Sequence, residues 1–159
     1  MTITEQTLRQ WRELRTGYWP TDLANASALL YEQMPDLNWA GFYLLDGGVL
    51  RLGPFQGRVA CTFIPAGKGV CGKAAQDRRT VLVADVHEFS GHIACDSRSN
   101  SELAVPLVKG GAVWGVLDLD SPTKNRFVPA EARLLEEFCA LLLEPWDEAP
   151  WARSVRPSA

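Results

Sequence analysis

Three cysteines, Cys61, Cys71 and Cys95, fall within 35 residues in the middle of the chain, and Cys139 stands apart. A reactive cysteine needs thiolate character and access to substrate. Cys95 lies in DVHEFSGHIACDSRSN, residues 85–100, the longest stretch without clear periodicity and one rich in His and acidic residues. Long loops in compact domains are usually functional or disordered, and this composition favours function. Cys71 opens a predicted short helix behind the glycine-rich AGKG, a position where the helix dipole would lower a thiol pKa. Cys61 sits ten residues upstream on RVACTFIP, where a small buried strand residue is an equally good reading. The pattern points to thiol redox chemistry at Cys95, with Cys71 or Cys61 as the second thiol.

Carboxylates sharpen that reading. Asp118 and Asp120 in VLDLDS are two apart on a predicted strand and so project from one face, with Leu117 and Leu119 facing the other way. Two facing carboxylates raise each other's pKa; a protonated one donates to a developing oxygen, and an ionised one binds an ammonium. Glu102, entering the preceding strand in NSELAVP, is placed to join them. Trp39 and Tyr43 in NWAGFYLL are four apart, on one strand face, and would give an aromatic wall suited to a small amino acid with an apolar tail.

Two other chemistries fit less well. GKGVCGK (67–73) matches G-x-x-x-x-G-K, but Ala74 stands where a Ser or Thr would ligate magnesium, and the flanking hairpins argue against the parallel sheet such a loop needs. His87, His92 and Cys95 have H-x4-H-x2-C spacing, yet no C-x2-C pair exists, and loop histidines more often hydrogen-bond the backbone than bind metal. Neither a metal nor a cofactor is expected.

The elements that must position these residues are legible from periodicity. Residues 3–16 and 21–34 read as helices separated by Pro20, with Thr21 as the second helix's N-cap. LNWAGFYLLD, DGG and VLRLGPF read as a hairpin, RVACTFIP as a third strand, GVCGKAAQDR as a helix and TVLVADV as a fourth strand. ELAVPLVKG and AVWGVLDLDS form a second hairpin, and PAEARLLEEFCALLLEPW is the closing helix, with Cys139 in its apolar core. The tail, 147–159, is expected to lie loosely on the surface. The whole is an α+β domain, an antiparallel sheet with helices packed on it.

With 159 residues, the chain is read as one domain. A net charge of −3 argues against nucleic acid as the main partner. No apolar run is long enough to span a bilayer, and the polar N-terminus lacks a secretory h-region, so a cytoplasmic protein without membrane partners is expected. In such a compartment clustered cysteines are more often catalytic or metal-binding than structural disulfides.

NWAGFYLL, IPAGKGVCGKAAQ, DVHEFSGHIACDSRSNSELAVPL and VWGVLDLDS together resemble one family, the GAF-domain free methionine-(R)-sulfoxide reductases, over about residues 20–145. The resemblance implies a GAF-like sheet of about six strands and a homodimer. It implies Cys95 as the nucleophile that attacks the sulfoxide sulfur and becomes a sulfenic acid, Cys71 or Cys61 as the thiol that resolves it, and thioredoxin as reductant. Glu102, Asp118 and Asp120 match the carboxylates that hold the substrate's ammonium and sulfoxide oxygen, and Trp39 and Tyr43 match the wall around its methyl group. Selectivity for the R epimer follows from the resemblance alone. The alternative is a GAF-type ligand or redox sensor without turnover.

Overall fold

The computed structural model describes residues 2–152. Helices α1 (Glu5–Leu14) and α2 (Trp19–Gln33) lead into strands β1 (Trp39–Asp46) and β2 (Val49–Gly57). A short β3 (Phe63–Pro65), helix α3 (Gly69–Asp77) and a short β4 (Val81–Val83) follow. Strands β5 (Ser101–Lys109) and β6 (Ala112–Ser121) and helix α4 (Pro129–Leu143) complete the chain. The strands form one antiparallel sheet in the order β3-β2-β1-β6-β5-β4.

Strand alternation divides this sheet into two functions. Ala40, Phe42 and Leu44 of β1, Leu117 and Leu119 of β6, and Leu103, Val105 and Leu107 of β5 share one face. They pack under Leu23, Ala26 and Leu30 of α2 and Leu135, Phe138 and Leu142 of α4, with Trp11 of α1 against Phe138 at 5.2 Å. Each such side chain contributes about 1.5–3 kcal/mol on burial, so this face fixes strand register. The intervening residues, Trp39, Tyr43, Glu102, Ala104, Val116, Asp118 and Asp120, are thereby forced onto the opposite face, under α3 and the 85–100 segment.

Several local expectations are corrected. Pro20 does not separate two helices; it lies in the first turn of α2, where its missing N–H costs nothing. Thr21 is therefore inside the helix, and the N-cap is Tyr18, which offers no side-chain bond. The stabilising contact comes instead from Asp22, which accepts from Thr16 N, Thr16 Oγ1 and Gly17 N at 2.8 Å each. The third strand is shorter than RVACTFIP: residues 58–62 are irregular, and only Phe63–Pro65 pairs with β2. The tail is not loose through 152. Trp151 packs edge-on against Trp19, Trp114 and Trp146 and donates from Nε1 to Trp114 O at 2.9 Å. The remainder of that tail, 153–159, lies outside the described residues. Cys139 is buried in the α4 core, as its surroundings in sequence suggested.

Candidate active site

Register builds the acid cluster. Trp39 of β1 stands opposite Asp120 of β6, and Asp120 stands opposite Glu102 of β5, so the three form a row across the sheet. In the next row Asp118 lies between Gly41, which has no side chain, and Ala104, whose methyl is small, and both leave space around its carboxylate. Gly41 is obligatory: a Cβ there would sit 2.3 Å from Phe55 Cβ and 2.8 Å from Trp39 Cη2. The Trp39 ring lies over that gap, stacked on Phe55 at 5.2 Å and Tyr43 at 5.9 Å, with Nε1 donating to Arg58 O at 3.1 Å. The aromatic wall expected from Trp39 and Tyr43 is thus formed, and Phe55 extends it.

Cys61 and Cys95 are joined in a disulfide. Cys95 lines the cavity above the carboxylates, together with Cys71, Trp39, Tyr43, Glu102, Asp118 and Asp120. Cys61 is not among the cavity's lining residues, although its neighbour Ala60 is; it is half-buried in the irregular segment that precedes β3. Tyr43 Oη donates to Cys61 O at 3.0 Å and ties that segment to the wall.

Cys71 departs from the sequence expectation. It does open α3, but its thiol is buried and points at the acids, with Sγ 3.9 Å from Glu102 Oε1. Burial, then the charges of Asp118 and Glu102, push its pKa well above the usual thiol value instead of lowering it. The desolvated neighbours outweigh the helix dipole, whose effect is worth at most about 2 kcal/mol. A neutral Cys71 is a donor toward carboxylate oxygen and a poor nucleophile.

The carboxylates themselves are held toward neutrality. Burial, followed by the charge of Asp120, pushes Glu102 up to about 8. Burial and the neighbouring Glu102 raise Asp118, and burial and Asp118 raise Asp120, both well above the ordinary carboxylate range. Asp118 Oδ1 is buried with no hydrogen-bond partner in the protein. Buried polar atoms without partners are rare, and this one faces the cavity, so it suits a donor brought by a ligand. His92 Nε2 lies 3.5 Å from Glu102 Oε2. Desolvation lowers the histidine's pKa and Glu102 is largely protonated at neutral pH, so the contact joins two neutral groups and is not an ion pair.

The 85–100 segment supplies further parts of the cavity that the redox reading of the sequence did not include. His92, Ile93, Asp96 and Ser99 line the cavity. Asp96 is clamped by Arg98 (Nη2 to Oδ2 2.9 Å), which holds its pKa down to about 2. Asn38 reaches from the start of β1 to Asp96 Oδ2 at 3.2 Å and Ser99 Oγ at 3.0 Å, pinning the loop to the sheet. The segment's density of polar residues was the forewarning for Asp96 and Ser99, and spacing marked His92 only as a metal candidate.

The His-His-Cys metal set does not converge. His87 is exposed and bonded to Asp85 Oδ1 at 2.8 Å, while His92 faces the cavity and Cys95 is in a disulfide. Among the described residues, the grouping whose ligand atoms lie within 4.8 Å of one another is Cys71, Glu102 and Asp118. All three have raised pKa values, so a cation there would have to displace protons from buried groups. The glycine-rich 67–73 run enters α3 from an antiparallel edge strand, which is not the parallel βαβ setting of a phosphate loop. Among the described residues no helix is long and apolar enough to cross a membrane.

A curled antiparallel sheet with its ligand cavity under α3 and a long loop is the architecture of a GAF domain, and the GAF domain family matches residues 21–143. The chain belongs to this family, in the group of free methionine-R-sulfoxide reductases. It is 52% identical over 120 residues to the free methionine-R-sulfoxide reductase of Escherichia coli, covering 76% of this chain and 73% of that protein. To the Saccharomyces cerevisiae enzyme of the same name it is 41% identical over 150 residues, 88% of this chain and 83% of the relative. Among solved structures, the reduced fRMsr of Staphylococcus aureus superposes with a TM-score of 0.87 at 44% identity, covering 91% of this chain and 96% of that one. The free methionine-R-sulfoxide reductase of Neisseria meningitidis, in complex with its substrate, gives 0.85 at 41% identity, over 89% and 86% of the two chains.

Proposed function

We propose that this protein reduces free L-methionine-(R)-sulfoxide to methionine. The observation that carries this reading is the position of Cys95, a redox-paired cysteine bordering a cavity floored by three buried, proton-rich carboxylates. In the reduced protein the Cys95 thiolate attacks the sulfoxide sulfur. The acid cluster donates a proton to the sulfoxide oxygen, the S–O bond breaks as that oxygen moves to Cys95 as a sulfenic acid, and methionine leaves as the neutral thioether. Groups held neutral at physiological pH are suited to that donation, and Glu102, raised to about 8, is poised for it.

The Cys61 thiol then attacks the sulfenic sulfur, water leaves, and the disulfide forms. Two electrons and two protons from an external dithiol restore both thiols, and thioredoxin is the reductant the family resemblance supports. The assignment of Cys61 over Cys71 draws on the disulfide pairing and on the buried, protonated state of Cys71.

Selection of the free amino acid has a physical basis. A free ammonium entering the cluster favours ionisation of one of the buried carboxyls and offers a donor to Asp118 Oδ1; a peptide nitrogen carries no such charge. The apolar end of the substrate would lie against Trp39 and Tyr43. The setting proposed is the cytoplasm, as a homodimer of single-domain chains with no cofactor. The test is turnover of the free R epimer with a dithiol reductant, beside the S epimer and a peptide-bound sulfoxide. Turnover of the free R form alone supports the reading; a folded, reduced protein that turns over none of the three refutes it in favour of a sensor.

A further inference from the structure

We infer that Cys61, not Cys95, is the sulfur attacked by the protein dithiol that regenerates the enzyme, and that the exposed segment ending in edge strand β3 is where this partner docks. The inference rests on the reductase cycle proposed above and concerns its electron entry. Cys61 and Cys95 are both half-buried, but they border different surroundings. Cys95 lines the cavity between the aromatic wall and the acids, a space scaled to a small molecule. Cys61 lies outside that lining, in a segment whose Arg58, Val59, Thr62 and Phe63 are all exposed.

Two large apolar side chains flank Cys61 at the surface, Val59 at 88% and Phe63 at 57% exposure. Among the described residues they are the most exposed aliphatic residue and the most exposed phenylalanine of the large hydrophobics left uncovered. Phe63 begins β3, which ends the sheet and pairs only with β2, so its far side offers backbone groups to an incoming chain. An apolar, backbone-accepting surface within two residues of a disulfide sulfur fits a dithiol protein that recognises an extended segment by its main chain and flanking apolar residues. Small-molecule thiols need no such surface.

The direction of exchange also makes chemical sense. The partner's thiolate attacks Cys61 Sγ, the Cys61–Cys95 bond breaks, and Cys95 departs as a thiolate into the cavity where the next substrate binds. The partner's second thiolate then attacks the mixed disulfide, releasing Cys61 and carrying away the oxidising equivalents as its own disulfide. Attack at Cys95 would instead leave the nucleophile blocked until the second step.

The test is trapping. The disulfide form, made once with free methionine-(R)-sulfoxide and once with diamide, is mixed with a Cys-X-X-Cys reductant whose second cysteine is replaced by serine. Trypsin separates the three cysteines, since Cys61 falls in peptide 59–68, Cys71 in 69–73 and Cys95 in 80–98. The expected product is a mixed disulfide on 59–68; one on 80–98 or 69–73 overturns the inference. Failure of the sulfoxide, but not diamide, to link 59–68 to 80–98 would refute the catalytic cycle itself, a different outcome. In parallel, Val59→Asp and Phe63→Asp should each lower kcat/KM for the protein reductant about tenfold while leaving dithiothreitol-driven turnover unchanged. Equal turnover by wild type and both variants with the protein reductant overturns the docking surface.

Discussion

Replacing Glu102 by Gln should stabilise the protein, and by more at high pH than at low. Glu102 is buried, and its folded pKa of about 8 lies above the ordinary 4.5. A carboxyl raised on folding contributes stability below its unfolded pKa, and that contribution is lost as pH rises toward the folded value. Between pH 6.5 and 8 the unfolded chain is already ionised while the folded site still holds its proton. Each pH unit in that interval therefore costs about 1.4 kcal/mol, or about 2 kcal/mol in all. Above pH 8 the cost levels off. Glutamine keeps the shape and has no proton to lose. The gap in stability between Glu102→Gln and wild type should widen by about 2 kcal/mol from pH 6.5 to 9, which is about 1 M in urea midpoint. His92, whose pKa is pushed below its ordinary 6.5 by burial, is common to both proteins, so its own titration cancels from the gap. Equilibrium urea denaturation of both proteins in one redox state at the two pH values is the assay. A gap that is constant or narrows with pH would refute the claim that the cluster is held proton-rich by burial.

Three further outcomes are expected. Cys61→Ser should stop disulfide formation and leave a sulfenic acid on Cys95 that dimedone labels, whereas Cys71→Ser should still form the 61–95 disulfide; non-reducing peptide mapping reads both. Gly41→Ala forces a Cβ to 2.3 Å from Phe55 and displaces Trp39, so it should destabilise by about 1–3 kcal/mol and raise KM more than it lowers kcat. Asp22→Ala removes an acceptor shared by three donors at the α1–α2 turn and should cost about 1–3 kcal/mol in thermal denaturation without changing KM.

The parts of the site legible in sequence were those set by strand alternation. The VLDLDS pattern places Leu117 and Leu119 in the core and leaves Asp118 and Asp120 no other face, and NWAGFYLL does the same for Trp39 and Tyr43. Local pattern failed where long-range contacts decide. Residues 58–62 carry strand-forming types, yet they are irregular: Cys61 is engaged by Cys95 and Tyr43, and Thr62 O accepting from Leu52 N at 3.0 Å is the backbone contact that continues toward β2. The helix-dipole argument for Cys71 was sound locally and wrong in sign, because the acids that surround the thiol come from β5 and β6. His92 and Asp96 lie in a segment without periodicity, so their convergence on the cavity depends on the Asn38 and Arg98 contacts that no spacing encodes. Trp151 could not be separated from a loose tail because its partners, Trp19, Trp114 and Trp146, are contributed by three different segments of the fold.

The central claim is that Cys95 accepts the sulfoxide oxygen and passes the oxidation to Cys61. It is tested most directly by a single turnover of fully reduced protein with excess free L-methionine-(R)-sulfoxide and no reductant. The account predicts one methionine released per chain, with peptides 59–68 and 80–98 linked in the same stoichiometry, and neither event in Cys95→Ser. Methionine release that persists in Cys95→Ser, or a stoichiometric burst that oxidises Cys71 and leaves Cys61 and Cys95 reduced, would contradict it.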